Sequence, residues 1–102
     1  MFYMKDIRNK YGNIGYILEY CDITEKEAMT LCNMIIDESI AESNNEILET
    51  MYHAILTGVI SHKIGDKLAV DTIVKMIDKF NEEVSDYLII ILAYTGKNIL
   101  KR

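Results

Sequence analysis

A chain of 102 residues, half of them hydrophobic and about a quarter charged, can build one buried core and not two. It has no proline and only five glycines, which excludes a turn-rich all-β fold and suits long helices. The net charge of −5 is concentrated: residues 21–50 hold Asp22, Glu25, Glu27, Asp37, Glu38, Glu42, Glu46 and Glu49 against Lys26 alone. That pattern argues against direct nucleic-acid binding, because phosphates require a basic footprint. A basic protein partner is the natural complement. The opening residues meet charge at once and lack a signal peptide's apolar centre. The longest apolar run, Tyr87 to Tyr94, is far short of the roughly 20 residues a membrane span needs. Cys21 and Cys32 match no zinc spacing, so a cytoplasmic chain with reduced thiols is expected.

Periodicity predicts a single all-α domain over 1–102, with about five helices packed as antiparallel hairpins. Ile14, Ile17, Leu18 and Cys21 share one helical face. Gly12 and Gly15 weaken its start, Asn13 could cap it, and a short separate helix over Phe2 to Asn9 could precede it. Thr24-Glu25-Lys26-Glu27 reads as a capping box opening a second helix. Ala28, Leu31, Cys32, Ile35 and Ser39 trace its inward face, and it should end near Glu42, before Ser43-Asn44-Asn45. Asn45 is the expected cap of a third helix reaching His62. Its buried face is Ile47, Leu48, Met51, Tyr52, Ile55 and Val59; Glu49, Thr50, His53 and Thr57 form its polar face. Gly58 inside it is either a weak point or a place of close helix approach.

Gly65 should end that segment, with Asp66 capping a fourth helix. Ala69, Ile73, Met76, Ile77 and Phe80 give this helix its core stripe, and Lys67, Asp71, Lys75 and Asp78 its solvated face. A fifth helix is expected from about Asn81 to just before Gly96. Its residues Tyr87 to Ala93 are apolar nearly all round, which predicts a buried, central C-terminal helix. The β-branched run Ile89-Ile90-Ile91 leaves a buried strand as the alternative. The tail from Lys97 to Arg102 reads as a frayed basic end. Helix ends around Met34–Asp37 and Lys75–Asp78 echo one another, each followed by an Asn-Glu turn. The spacing suits a helical-hairpin repeat or a chance likeness.

No phosphate loop, dinucleotide fingerprint, nucleophile elbow or metalloprotease motif is present, so no enzyme and no cofactor is expected. Glu49 and His53, four apart, lack the further ligands of a carboxylate-bridged metal site and read as an exposed acid–histidine pair. Cys21 and Cys32 fall on apolar faces, as structural cysteines do. The acidic cluster at the second bend has two readings: a solubilising face, or a docking face for a basic partner. In the second, Asp37, Glu38, Glu42, Glu46 and Glu49 supply charge, and Tyr52, His53 and Thr57 the less charged centre.

The stretch Asn81-Glu82-Glu83-Val84 through Gly96 is similar to the second helix of HEAT-like repeats, and Asn45-Glu46-Ile47-Leu48 opens the same way. Over residues 24–96 the chain resembles the small acidic helical immunity proteins that bacteria encode beside polymorphic or contact-dependent growth-inhibition toxins. The resemblance implies a stoichiometric inhibitor whose carboxylates meet the lysines and arginines of a cognate toxin, expected to be a basic nuclease. A cytosolic adaptor or regulator acting as a homodimer is the second reading, and a small helical metalloenzyme the third.

Overall fold

The structure, a computed structural model, describes residues 2–68, 74–76 and 85–100. Among them the secondary structure is helical, with no strand: α1 (Phe2–Tyr20), α2 (Glu25–Ala41), α3 (Asn45–His62), a 3-10 turn (Gly65–Lys67) and α4 (Ser85–Leu100). Residues 74–76 are also helical. No helix among the described residues is long and apolar enough to cross a membrane.

The strongest local signal in the chain forms as expected. The Thr24 hydroxyl accepts from the backbone N–H of Glu27 at 3.1 Å, and the Glu27 carboxylate accepts from the N–H of Thr24 at 2.9 Å. These reciprocal bonds satisfy two of the donors that every helix start leaves open. They also hold the Glu27 carboxyl below its usual range. The next cap differs by one residue from the sequence expectation. Asn44, not Asn45, caps α3, its Oδ1 accepting from Glu46 at 2.9 Å and Ile47 at 3.2 Å.

α1 is one continuous helix rather than a short helix followed by an Asn13-capped second one. Neither Gly12 nor Gly15 breaks it, because no glycine among the described residues takes a positive φ. Gly15 instead admits α3: a Cβ there would lie 3.7 Å from the Cα and Cβ of Ala54. At Gly58 the approach is closer. A Cβ would sit 2.5 Å from Cys32 Sγ and 3.3 Å from the Leu18 methyls. Gly58 is thus the crossing point of α1, α2 and α3, the close-approach reading of that residue.

The helix ends of the second half also differ from expectation. α3 closes on Lys63 in the left-handed conformation, φ 53°. Gly65 is instead buried at the start of a 3-10 turn, where a side chain would collide with the carbonyl of Tyr94. Gly96 does not stop the last helix, which continues to Leu100. The stretch Ile89 to Ile91 is helical, which removes the strand alternative. Of the expected fourth-helix stripe, Met76 is buried and Lys75 exposed; Ala69, Ile73, Ile77, Phe80, Asp71 and Asp78 lie outside the described residues, as do the expected helix start at Asn81 and most of the second half of the repeat-like echo.

α3 is the centre of the fold, packing against α1, α2 and α4. Ile47, Leu48, Met51, Tyr52, Ala54, Ile55 and Val59 are all buried. The expectation of a central C-terminal helix is corrected here. In α4 Leu88 and Ile91 are buried, but Ile89 is 54% and Ile90 43% exposed. Among the described side chains of α4, one stripe reaches the core.

The contacts also give the helix directions. Arg8 meets Glu46, Gly15 meets Ala54, and Leu18 meets Gly58 and His62, so α1 and α3 run the same way. Cys32 meets Ile55 and Glu25 meets Lys67, so α2 runs against α3. Tyr87 lies beside His53, and Tyr94 beside Gly65, so α4 follows the sense of α3. Three like-directed helices therefore stand side by side with α2 behind them. The 18 Å short dimension of the molecule matches two helix layers about 8–10 Å apart.

Candidate functional site

The bend between α2 and α3 does gather carboxylates, but three of them are already engaged within the chain. Glu38 accepts from the Tyr11 hydroxyl at 2.9 Å and pairs with Lys10 at 3.2 Å. Glu46 pairs with Arg8 at 3.5 Å. Glu42 turns back on its own bend, its Oε2 accepting from the N–H groups of Ser43 at 3.1 Å and Asn44 at 3.0 Å. α1 therefore brings two bases to the acidic bend across sequence distances of 28 and 38 residues. No local sequence pattern signals those pairings.

Asp37 and Glu49 are exposed and make no ion pair among the described residues. Both remaining ion pairs of the bend are also open to solvent, with side chains 36–67% exposed. Pairs of this kind contribute about 0–1 kcal/mol each. An incoming guanidinium can exchange with Arg8 or Lys10 at little cost.

Tyr52 is a correction. The spacing places it on the buried face of α3, and there it is, fully buried; what fails is its second expected role, at the centre of a docking face. Its hydroxyl has no hydrogen-bond partner among the described residues, and burial raises its pKa. The physical reason is its position on α3: it falls between Leu48 and Ile55 on the stripe that faces the core. His53 falls on the opposite side and is exposed. Its ring meets Tyr87 edge-on, centroids 6.0 Å apart at 79°.

Beside the bend the structure shows a feature absent from the sequence reading. Two clefts adjoin along the open side of α3 and share Thr50 and His53. The first, about 300 Å³, is bounded by Arg8, Glu46, Glu49 and Tyr87. The second, about 230 Å³, runs on between α1 and α3 past Gly12, Tyr16, Glu19, Tyr20 and Thr57. Together they form a groove with exposed tyrosines on one wall and threonines and His53 on the other. Tyr16 and Tyr20, 62% and 67% exposed, lie against one another with centroids 4.8 Å apart and ring planes tilted at 44°. The i, i+4 spacing of Gly12, Tyr16 and Tyr20 could have shown a surface stripe on α1. Its pairing with Thr50, His53 and Thr57 needed the like-directed packing of α1 on α3.

The remaining chemistry is sparse. Among the described residues no group of three or more His, Cys, Asp or Glu is placed to hold a metal. Cys32 is buried, and burial pushes its thiol up to about 12. A buried thiol held in its neutral form packs as a core residue. Cys21 is exposed. His62 Nε2 lies 2.7 Å from the Leu18 carbonyl, so it is occupied in joining α1 to α3. The chain matches no protein-family model, no curated protein and no solved structure.

Proposed function

We propose that the protein is a non-catalytic binding module that neutralises a cognate toxin in the cytoplasm by stoichiometric capture of its basic surface. The observation that carries this reading is the charge distribution. Of the eight acids set against one lysine over residues 21–50, Asp37, Glu38, Glu42, Glu46 and Glu49 gather around the α2–α3 bend, while Asp22, Glu25 and Glu27 lie at the other end of α2. Among the described residues the cations paired with the bend, Arg8 and Lys10, are exposed and replaceable. Such a face speeds encounter with a basic partner and supports its correct orientation. A nuclease is the partner class that fits, since its own substrate demands lysines and arginines. Glu49, Asp37 and His53 are the residues best placed to meet that partner, with Glu38 and Glu46 joining by exchange of Lys10 and Arg8.

The test is co-expression with the protein encoded beside this one. The expected result is rescue of growth, a 1:1 complex in sedimentation, and association that slows as salt rises. No complex, or association indifferent to salt and to Glu49→Lys, overturns the reading. A homodimeric adaptor is the second reading, favoured by Ile89, Ile90 and Tyr94, which stand 43–54% exposed on α4. Sedimentation of the pure chain distinguishes it by showing a stable dimer.

A further inference from the structure

Three glycines of the described helices can be compared by what a side chain would meet. Gly15 and Gly58 have neighbours from another helix pressed against them, whereas Gly12 has nothing within 4 Å. Gly12 also has no positive φ, so it is required neither for packing nor for backbone conformation. A glycine inside an exposed helix costs about 1 kcal/mol relative to alanine. Nothing among the described residues offsets that cost. A body approaching from outside would.

Gly12 lies on the wall of the α1–α3 groove, one helical turn before Tyr16. The tilted ring pair Tyr16 and Tyr20 continues the same stripe. Two carboxylates flank the groove without ion pairs among the described residues, Glu19 at the Tyr20 end and Glu49 at the other, where Arg8 also lines the groove but is paired with Glu46. Glu19 is level with the Gly58 region of α3, so the two stand about nine residues apart along the helix axis, or about 13 Å at about 1.5 Å per residue. Aromatic faces and carboxylates together select a guanidinium, which stacks on a ring while donating to an oxygen. A lysine ammonium gains less from a tyrosine face, and an apolar segment would leave Glu19 and Glu49 facing it unsatisfied.

We infer that this groove is the seat of an arginine-bearing extended segment of the partner, with its backbone passing over Gly12 and its guanidinium groups reaching Glu49 and the Tyr16–Tyr20–Glu19 corner. The inference rests on the proposed capture of a basic protein and moves the specific contact from the α2–α3 bend to the α1–α3 groove. A separation of about 13 Å is four residues of extended chain at about 3.3 Å each, so arginines at i and i+4 would span it.

The test uses the full chain and the peptide acetyl-Arg-Gly-Ser-Gly-Arg-amide, with its lysine and citrulline counterparts, followed by amide and aromatic NMR shifts. The expected result is millimolar binding with shifts confined to Gly12, Tyr16, Tyr20, Thr50 and His53. The lysine peptide should bind several-fold more weakly, and the citrulline peptide should not bind. Gly12→Ala should raise the melting temperature by about 4 °C or more, through helix propensity, while weakening the peptide at least about tenfold. Tyr16→Ala and Glu49→Gln should weaken it without unfolding the chain. Absence of shifts, shifts spread over the α2 carboxylates, or a Gly12→Ala protein that binds as well as the parent overturns the inference. A 1:1 complex with the basic protein that survives all three substitutions would leave the proposed function standing and remove the groove. Peptide seated in the groove of a chain that captures no basic protein would do the reverse.

Discussion

α3 and α4 make an instructive pair. α4 carries the longest unbroken apolar run in the chain, Tyr87 to Tyr94, yet Ile89, Ile90 and Tyr94 face outward and one stripe of its described side chains is buried. α3 alternates apolar with Glu49, Thr50, His53 and Thr57, yet it is the helix that the others surround. The difference teaches that apolar density along a helix does not set its place in the fold. Neighbours on several sides do, and small residues that let them come close are the clearer sign. Gly58 and the Ala54 opposite Gly15 mark α3 in this way.

The most forceful way to break the comparison is truncation on each helix. Ile55→Ala in α3 should cost about 2–5 kcal/mol, because it opens a cavity in the fully buried core. Ile89→Ala in α4 should stay within about 0.5 kcal/mol. Urea denaturation of the two variants measures both, and equal losses would remove the distinction. Next in size is Gly58→Ala. Its methyl collides with Cys32 Sγ, and overpacking of this kind costs about 1–3 kcal/mol even after the gain in helix propensity. Cys32→Ala in the same chain should restore much of the loss, so a double-mutant cycle should show coupling between the two positions. Additive losses would mean that the crossing is looser than the distances imply.

Tyr52→Phe sharpens the correction of that residue from docking face to core. Removing a buried hydroxyl that has no partner among the described residues should leave stability unchanged or raise it by about 1 kcal/mol. A large loss would reveal a hydrogen bond to that oxygen. Thr24→Ala should cost α2 about 1 kcal/mol through the lost cap. The cap also carries a pH signature. Since the folded chain holds the Glu27 carboxyl below its usual value, this contribution is complete above about pH 4.5. It is lost as pH falls through the lowered folded value. The stability difference between parent and Glu27→Gln should therefore shrink on acidification, as thermal melts from neutral pH downward would show.

The parts legible in the sequence were those governed by short spacings. Thr24 and Glu27 are three residues apart, and their reciprocal bonds need nothing else. The buried face of α3 recurs every three or four residues, and each position expected in it is buried. The interruption at Gly58 could be read as close approach because an isolated helical glycine has few other uses. The misplaced features depend on distant parts of the chain. Gly96 resembles a stop signal, but a glycine ends a helix only when the backbone turns there. Lys63 rather than Gly65 took the left-handed position that ends α3. The neutralisation of Glu38 and Glu46 required knowing that α1 runs alongside α3 and so carries Lys10 and Arg8 to the acidic bend.

The short contact between His62 Nε2 and the Leu18 carbonyl has a dynamic consequence. The proton of the imidazole must sit on Nε2, where it occupies a carbonyl near the end of α1 that no later turn would bind. That bond closes the far end of the α1–α3 seam much as a clasp closes a hinge. Amides in the last turns of both helices should then exchange with deuterium as one cooperative unit, and His62→Phe should let them open separately.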